Sequence, residues 1–113
     1  MRQIFEKNMR MLSNLLSYCH ELGGLRHEVE LAPGRQTSTL RVRSQIPTLD
    51  AERLEQLRAT LRIPRQPELE QNYWYLGGES ETGSNLTLVA VMSDSAEVSY
   101  REGWLTISLV RHE

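Results

Sequence analysis

Apolar side chains recur at Phe5, Met9, Leu12, Leu16 and Cys19, in steps of four, three, four and three, which predicts an amphipathic helix over residues 3 to about 22. Ile4, Leu15 and Leu22 widen that stripe, and Gly23-Gly24 supplies the stop, because glycine accepts the positive φ found just past a helix end. The same spacing marks a coiled-coil seam, but under three heptads favours packing on a sheet. From Leu25 the period drops to two. Leu25, His27, Val29 and Leu31 alternate with Arg26, Glu28 and Glu30, so a strand with one wet face is expected as far as the turn at Ala32-Pro33-Gly34. Leu40, Val42, Ser44 and Ile46 alternate with Arg41, Arg43 and Gln45 in a second strand. Aligning the two apolar sets in an antiparallel hairpin sets Glu30 opposite Arg41 and Glu28 opposite Arg43, each pair worth a few tenths to about 1 kcal/mol.

Asp50 is placed to cap a second helix, with Leu49 and Leu54 as a hydrophobic staple and Leu54, Leu57 and Leu61 as its buried line. That helix must end near Ile63, because Pro64 disfavours helical backbone in the residue before it and Pro67 follows within a turn. Residues 64–72 read as an extended polar connector. Beyond it the pattern predicts strands over 73–79, 86–92, 97–101 and 104–110, with a polar loop at 79–85 and a tight turn at Glu102-Gly103. Residues 86–92 are apolar on both faces, so that strand is expected at the centre of the sheet. The expected architecture is a single α+β domain over residues 1–113. It is a curved antiparallel sheet of about six strands, ordered αββαββββ along the chain and packed with two helices.

Composition narrows the class without naming a function. At 113 residues the chain makes one domain, large enough to bury about two thirds of its extended surface without a metal or disulfide staple. Its one cysteine cannot close an intramolecular bridge, which suits a reducing, cytoplasmic setting. Charged residues interrupt the first twenty positions, and no apolar run is long enough for a secretion signal or a membrane span. All but one of the cations are arginine, a bias expected from base composition as readily as from anion binding. Residues 1–65 carry +4 and residues 66–113 carry −6, an asymmetry that suggests a polarised surface and an electrostatically chosen partner. The net charge of −2 argues against general nucleic-acid binding. The one basic cluster, Arg53, Arg58, Arg62 and Arg65, is interleaved with Glu52 and Glu55.

Candidates for chemistry are few. Cys19 and His20 point about a hundred degrees apart on a helix and make no thiolate pair, and Cys19 lies on the apolar stripe, as a buried structural thiol would. His20, His27 and His112 lack the spacing of a metal site. Nucleophile elbows, Walker loops and dinucleotide fingerprints are missing, so neither an enzyme nor a cofactor is expected. The most suggestive stretch is Tyr73-Trp74-Tyr75, three of seven aromatics on one expected strand, which sends Trp74 to one face and both tyrosines to the other.

The segment from Glu97 to Leu109 resembles the last hairpin of the small heat-shock protein domain, where a polar turn ending in glycine precedes alternating apolar residues. Ala32-Pro33-Gly34 loosely echoes another loop of that family. That resemblance implies an all-β sandwich, with which the helices expected at 3–22 and 50–63 disagree. The layout of helices on an antiparallel sheet is similar to that of dimeric secretion-chaperone-like domains.

These readings converge on a non-enzymatic protein-interaction or assembly module, a homodimer or the partner of another protein. Its candidate surface is Tyr73, Trp74 and Tyr75 together with Phe5 and Met9 on the spare face of the first helix. The alternative is a small-molecule-binding domain or enzyme with a pocket between sheet and helix, lined by Trp74, Tyr75 or Tyr100 and near His27.

Overall fold

A computed structural model describes residues 2–70 and 82–113 of the chain. The order of elements is α1 (Arg2–Glu21), β1 (Arg26–Ala32), β2 (Thr37–Gln45), α2 (Ala51–Leu61), α3 (Thr82–Met92), β3 (Ser95–Arg101) and β4 (Trp104–His112), with a short helical stretch at 67–70 between α2 and α3. The four strands form one antiparallel sheet in the order β1-β2-β4-β3. The chain is therefore α+β, as expected, but with four strands among the described residues where about six were expected, and the expected curved sheet is not matched.

The first hairpin forms in the expected register, with Glu30 opposite Arg41 and Glu28 opposite Arg43. Its connection needs Gly34, because a Cβ there would lie 2.4 Å from the Thr37 carbonyl oxygen. Helix α1 ends in a Schellman arrangement: Gly23 sits at φ +104°, the Gly24 N–H donates to the Cys19 carbonyl at 3.1 Å and the Gly23 N–H to that of His20 at 3.0 Å. Asp50 caps α2, its carboxylate accepting from the Arg53 N–H at 2.7 Å. In the last hairpin Glu102 and Gly103 both take positive φ, 52° and 80°, the two-residue turn whose twist matches its strands. This hairpin belongs to the antiparallel sheet of an α+β fold and not to an all-β sandwich.

Three expectations are corrected. Residues 86–92 are helical, not a central strand. Leu86, Leu88, Val89, Ala90, Val91 and Met92 are all buried and Thr87 is half-buried, so none of residues 86–92 of α3 is exposed. An apolar run of seven residues has the same pattern in a buried helix as in a buried strand, and periodicity cannot separate the two. Part of the expected 79–85 loop, residues 82–85, belongs to the same helix. The connector is not extended throughout either. Pro67 opens the helical stretch at 67–70 in the first position, where a missing N–H costs nothing, and the Gln66 N–H is tied to the Val91 carbonyl at 2.9 Å. The strand expected at 73–79 lies outside the described residues.

All three helices lie on one face of the sheet. Helix α1 packs on β2 and against α3, while α2 packs on the other flank of α3 and reaches β3. Between them and the sheet sits the core, built from Met11, Leu15, Leu40, Val42, Ile46, Leu57, Leu105, Ile107 and Leu109 together with α3. Replacing Ile107, which is fully buried at the middle of β4, with alanine is expected to cost roughly 3 kcal/mol. Asp50→Ala, which removes only a cap, should cost about 1 kcal/mol. Urea unfolding of the two variants checks the ranking.

Candidate functional site

Helix α1 buries a face turned from the one its spacing suggests. Lys7, Asn8, Met11, Leu12, Asn14, Leu15, Tyr18 and Cys19 are buried, whereas Phe5 and Met9 are 46% and 41% exposed. Asn8 meets Ser38 at 3.2 Å, and the Cys19 thiol is hydrogen-bonded with Ser44, so this face follows β2. On the far side Lys7 reaches Glu70 at 3.4 Å. Phe5, Met9 and Leu16 are left on the flank toward β1, a direction marked by the His20 and His27 rings, whose centroids are 6.1 Å apart.

Strand β1 lies at the sheet's edge, and among the described residues no helix packs closely on it. Its inward residues alternate as expected but stay only partly covered: His27 and Leu31 are half-buried, Val29 is 41% exposed, and Leu25, just before the strand, is 72% exposed. All four exposed large hydrophobic residues among those described, Phe5, Met9, Leu25 and Val29, thus lie on the α1 flank or the inward side of β1. Phe5 and Met9 stand on the helix and Leu25 and Val29 on or just before the strand, and the strip between these two flanks is here called the trough. On the outward side of the same strand Glu28 and Glu30 stand beside Arg43, at 2.5 Å, and Arg41, at 3.7 Å.

The outward face of the sheet is polar. The registers line up Glu30, Arg41, Ser108 and Glu97 in one row and Glu28, Arg43, Thr106 and Ser99 in the next. Arg43 also covers the Trp104 ring at 4.6 Å. An open cleft of ≈ 670 Å³ runs along the β3 edge, between Arg58, Leu61 and Arg62 of α2 and Ser99, Thr106 and Ser108 of the sheet. It does not unite the residues the pocket reading called on. His27 and Tyr100 stand on opposite edge strands; His27 Nδ1 lies 2.7 Å from the Ser44 hydroxyl, and the Tyr100 hydroxyl donates to the Ile46 carbonyl at 2.6 Å. Burial, with the neighbouring His20, holds the His27 pKa below its ordinary value. Burial pushes the Cys19 thiol up to about 11, against a smaller opposing effect of the Ser44 hydrogen bond, so the thiol stays protonated and unreactive near neutrality.

A buried charge cluster that sequence pattern missed lies on the side of α1 away from β1. Glu70 is 4% exposed and takes a two-pronged contact from Arg111, 3% exposed, at 2.9 and 2.8 Å. Arg65 approaches the same carboxylate at 3.3 Å and Lys7 at 3.4 Å. Arg111 also donates to Glu113 at 2.8 Å and to the Met92 carbonyl at 2.9 Å, while Glu113 accepts from Asn8 at 3.2 Å and from Ser38 at 2.5 Å. Arg65 pairs with Asp94 at 2.8 Å. Burial alone would raise the Glu70 pKa, but the hydrogen bonds and charge of Arg111, with Arg65 and Lys7, outweigh it and hold the group below its ordinary value. Asp94 is held low in the same way, by the His112 N–H and Arg65 against burial. Every lone pair and proton of the cluster that these distances account for is spent inside the chain, so it fastens the 67–70 stretch, α1, α3 and the C-terminal end of β4 rather than offering a reactive group.

The expected candidates thus separate. Phe5 and Met9 are at the surface, in the trough; Tyr73, Trp74 and Tyr75 lie outside the described residues. Of the basic cluster, Arg58 bonds the Val98 carbonyl at 3.3 Å, Arg62 lies 3.6 Å from Glu55, and Arg65 is held in the charge cluster. Among the described residues no helix is long and apolar enough to cross a membrane. The sequence matches no protein-family model, and no curated protein matches it.

Glu70→Gln leaves three cations around a neutral group and is expected to cost about 3 kcal/mol in urea unfolding. Because the folded pKa values of Glu70 and Asp94 are lowered, their contribution is complete above the ordinary carboxylate range and is lost as pH falls through those lowered values. The melting temperature should therefore fall steeply below about pH 4. That fall should be shallower in Glu70→Gln.

Proposed function

We propose that this chain is a non-enzymatic protein-interaction module, assembled as a homodimer, that captures an extended segment of another protein along β1. The observation that carries the reading is that all four exposed large hydrophobic residues among those described, Phe5, Met9, Leu25 and Val29, lie on the α1 flank or along the edge strand β1. Exposed large hydrophobic residues scattered singly need no explanation, but a contiguous strip is a docking surface. An edge strand adds backbone hydrogen bonds to whatever extended chain lies beside it.

The chemistry of the captured segment follows from the two faces of β1. A strand added there sends alternate side chains into the trough, where Val29, Phe5 and Met9 favour apolar residues. It sends the others outward beside Glu28 and Glu30, which favour lysine or arginine. The preferred segment therefore alternates apolar and basic residues. The cleft along β3 is open and lined by arginine, hydroxyl and aliphatic groups together with Glu97.

A fluorescein-labelled nine-residue peptide alternating valine with lysine is expected to bind the full chain, and one alternating valine with glutamate to bind at least tenfold more weakly. Val29→Asp and Met9→Glu, both at exposed positions, should abolish binding while leaving the circular dichroism spectrum and melting temperature in place. Equal anisotropy changes for the two peptides, or unimpaired binding by folded Val29→Asp, would remove the reading.

A further inference from the structure

The two edges of the sheet differ in what they offer to a second copy of the chain. On β1 the outward residues include Glu28 and Glu30. An antiparallel pairing of β1 with its copy that keeps apolar residues on one face sets Glu28 against Glu28, Glu28 against Glu30, or Glu30 against Glu30 in its three central registers. Carboxylate then meets carboxylate in each, and only the first, which also sets Arg26 opposite Glu30 twice, offers any opposite charges. On β3 the outward residues are Ser95, Glu97, Ser99 and Arg101, with Ser99 midway between an acid and a base. A two-fold axis through Ser99 sets Glu97 opposite Arg101 of the copy, twice, and sets Val98 opposite Tyr100 on the inward face.

The backbone phase agrees with that axis. The Val98 carbonyl points away from β4, since it accepts from the Arg58 guanidinium at 3.3 Å. Peptide groups alternate along a strand, so Ala96, Val98 and Tyr100 turn their N–H and C=O groups outward while Glu97, Ser99 and Arg101 turn theirs toward β4. Across the axis Val98 and Tyr100 then exchange hydrogen bonds with their counterparts, and the two Ser99 residues form the closely spaced pair that makes none. The Val98 oxygen keeps a lone pair for the incoming N–H beside its long contact with Arg58. The cleft of ≈ 670 Å³ lies along this strand, with Arg58, Leu61 and Arg62 as its other wall, so those side chains flank the incoming strand.

We propose that a second copy of the chain pairs along β3 about a two-fold axis at Ser99, joining two four-stranded sheets into one of eight strands with the β1 edges at its outer ends. This dimer rests on the assembly reading but uses the opposite edge from the captured segment, so the two are separable.

Sedimentation equilibrium of the full chain from 1 to 100 µM, together with the peptide titration on the same samples, tests it. Wild-type protein is expected to show the mass of two chains. Glu97→Arg and Arg101→Glu, each replacing two opposite-charge pairs with two like-charge pairs, should raise the dimer dissociation constant roughly tenfold. The double variant carrying both changes should restore it. Ser99→Cys should give a disulfide-linked dimer under mild oxidation, since the only native thiol, Cys19, is buried. Peptide binding should persist in the single variants. A single-chain mass throughout the range overturns the dimer, and if the valine–lysine peptide still binds, the function stands without it. A dimer indifferent to both charge reversals, or one broken by Val29→Asp alone, also overturns the β3 pairing.

Discussion

The arrangement depends on a helical segment, residues 86–92 of α3, with no exposed residue. α3 carries no charged residue, and its side chains from Leu86 to Met92 are buried apart from Thr87, which is half-buried. Such a helix is stable only when enclosed on all sides. Helix α1 closes one side and α2 another, the inward residues of β2 and β4 share its core, and this sets α1 over β2 and α2 against β3. The fourth strand, β1, is left over. Its uncovered inner face and the bare flank of α1 are consequences of how α3 is enclosed.

Enclosure also accounts for the charge cluster. The turn that leads toward α3 has to close over the ends of α1 and β4, where Asn8, Ser38 and Arg111 would otherwise be buried without partners. Glu70 and Glu113 supply the acceptors, and Lys7, Arg65 and Arg111 supply the donors. Breaking a buried group of this kind is costly, while its net gain over an apolar equivalent is small, so its contribution lies more in directing one arrangement than in adding stability. Because the cluster is spent on closure, the surfaces left for other molecules are the two sheet edges, the trough and the polar outer face. The proposed roles of β1 and β3 divide these edges by charge, carboxylates guarding one and an acid and a base bracketing Ser99 on the other.

Much of this was legible along the chain because it rests on neighbours in sequence. The four-three spacing of α1, its Gly23-Gly24 stop, the Asp50 cap, the two-residue turn at Glu102-Gly103 and the Glu30–Arg41 and Glu28–Arg43 register all depend on residues within one hairpin or one helix. The candidate surface was legible only in part. Phe5 and Met9 belong to an apolar stripe whether buried or exposed, and nothing local says which.

The order of α1, β1, β2, α2 and the last hairpin, and the alternation that gives each strand an inner and an outer face, were determined by the sequence alone, since periodicity reports local geometry directly. Tertiary structure decided that residues 86–92 are helical, that α1 turns Met11 and Leu15 rather than Phe5 and Met9 into the core, and that Glu70 meets Arg111 across 41 positions. Each of these depends on which distant surface a segment packs against. An apolar run, a wide stripe or a lone carboxylate carries no record of its partner until the chain has closed around it.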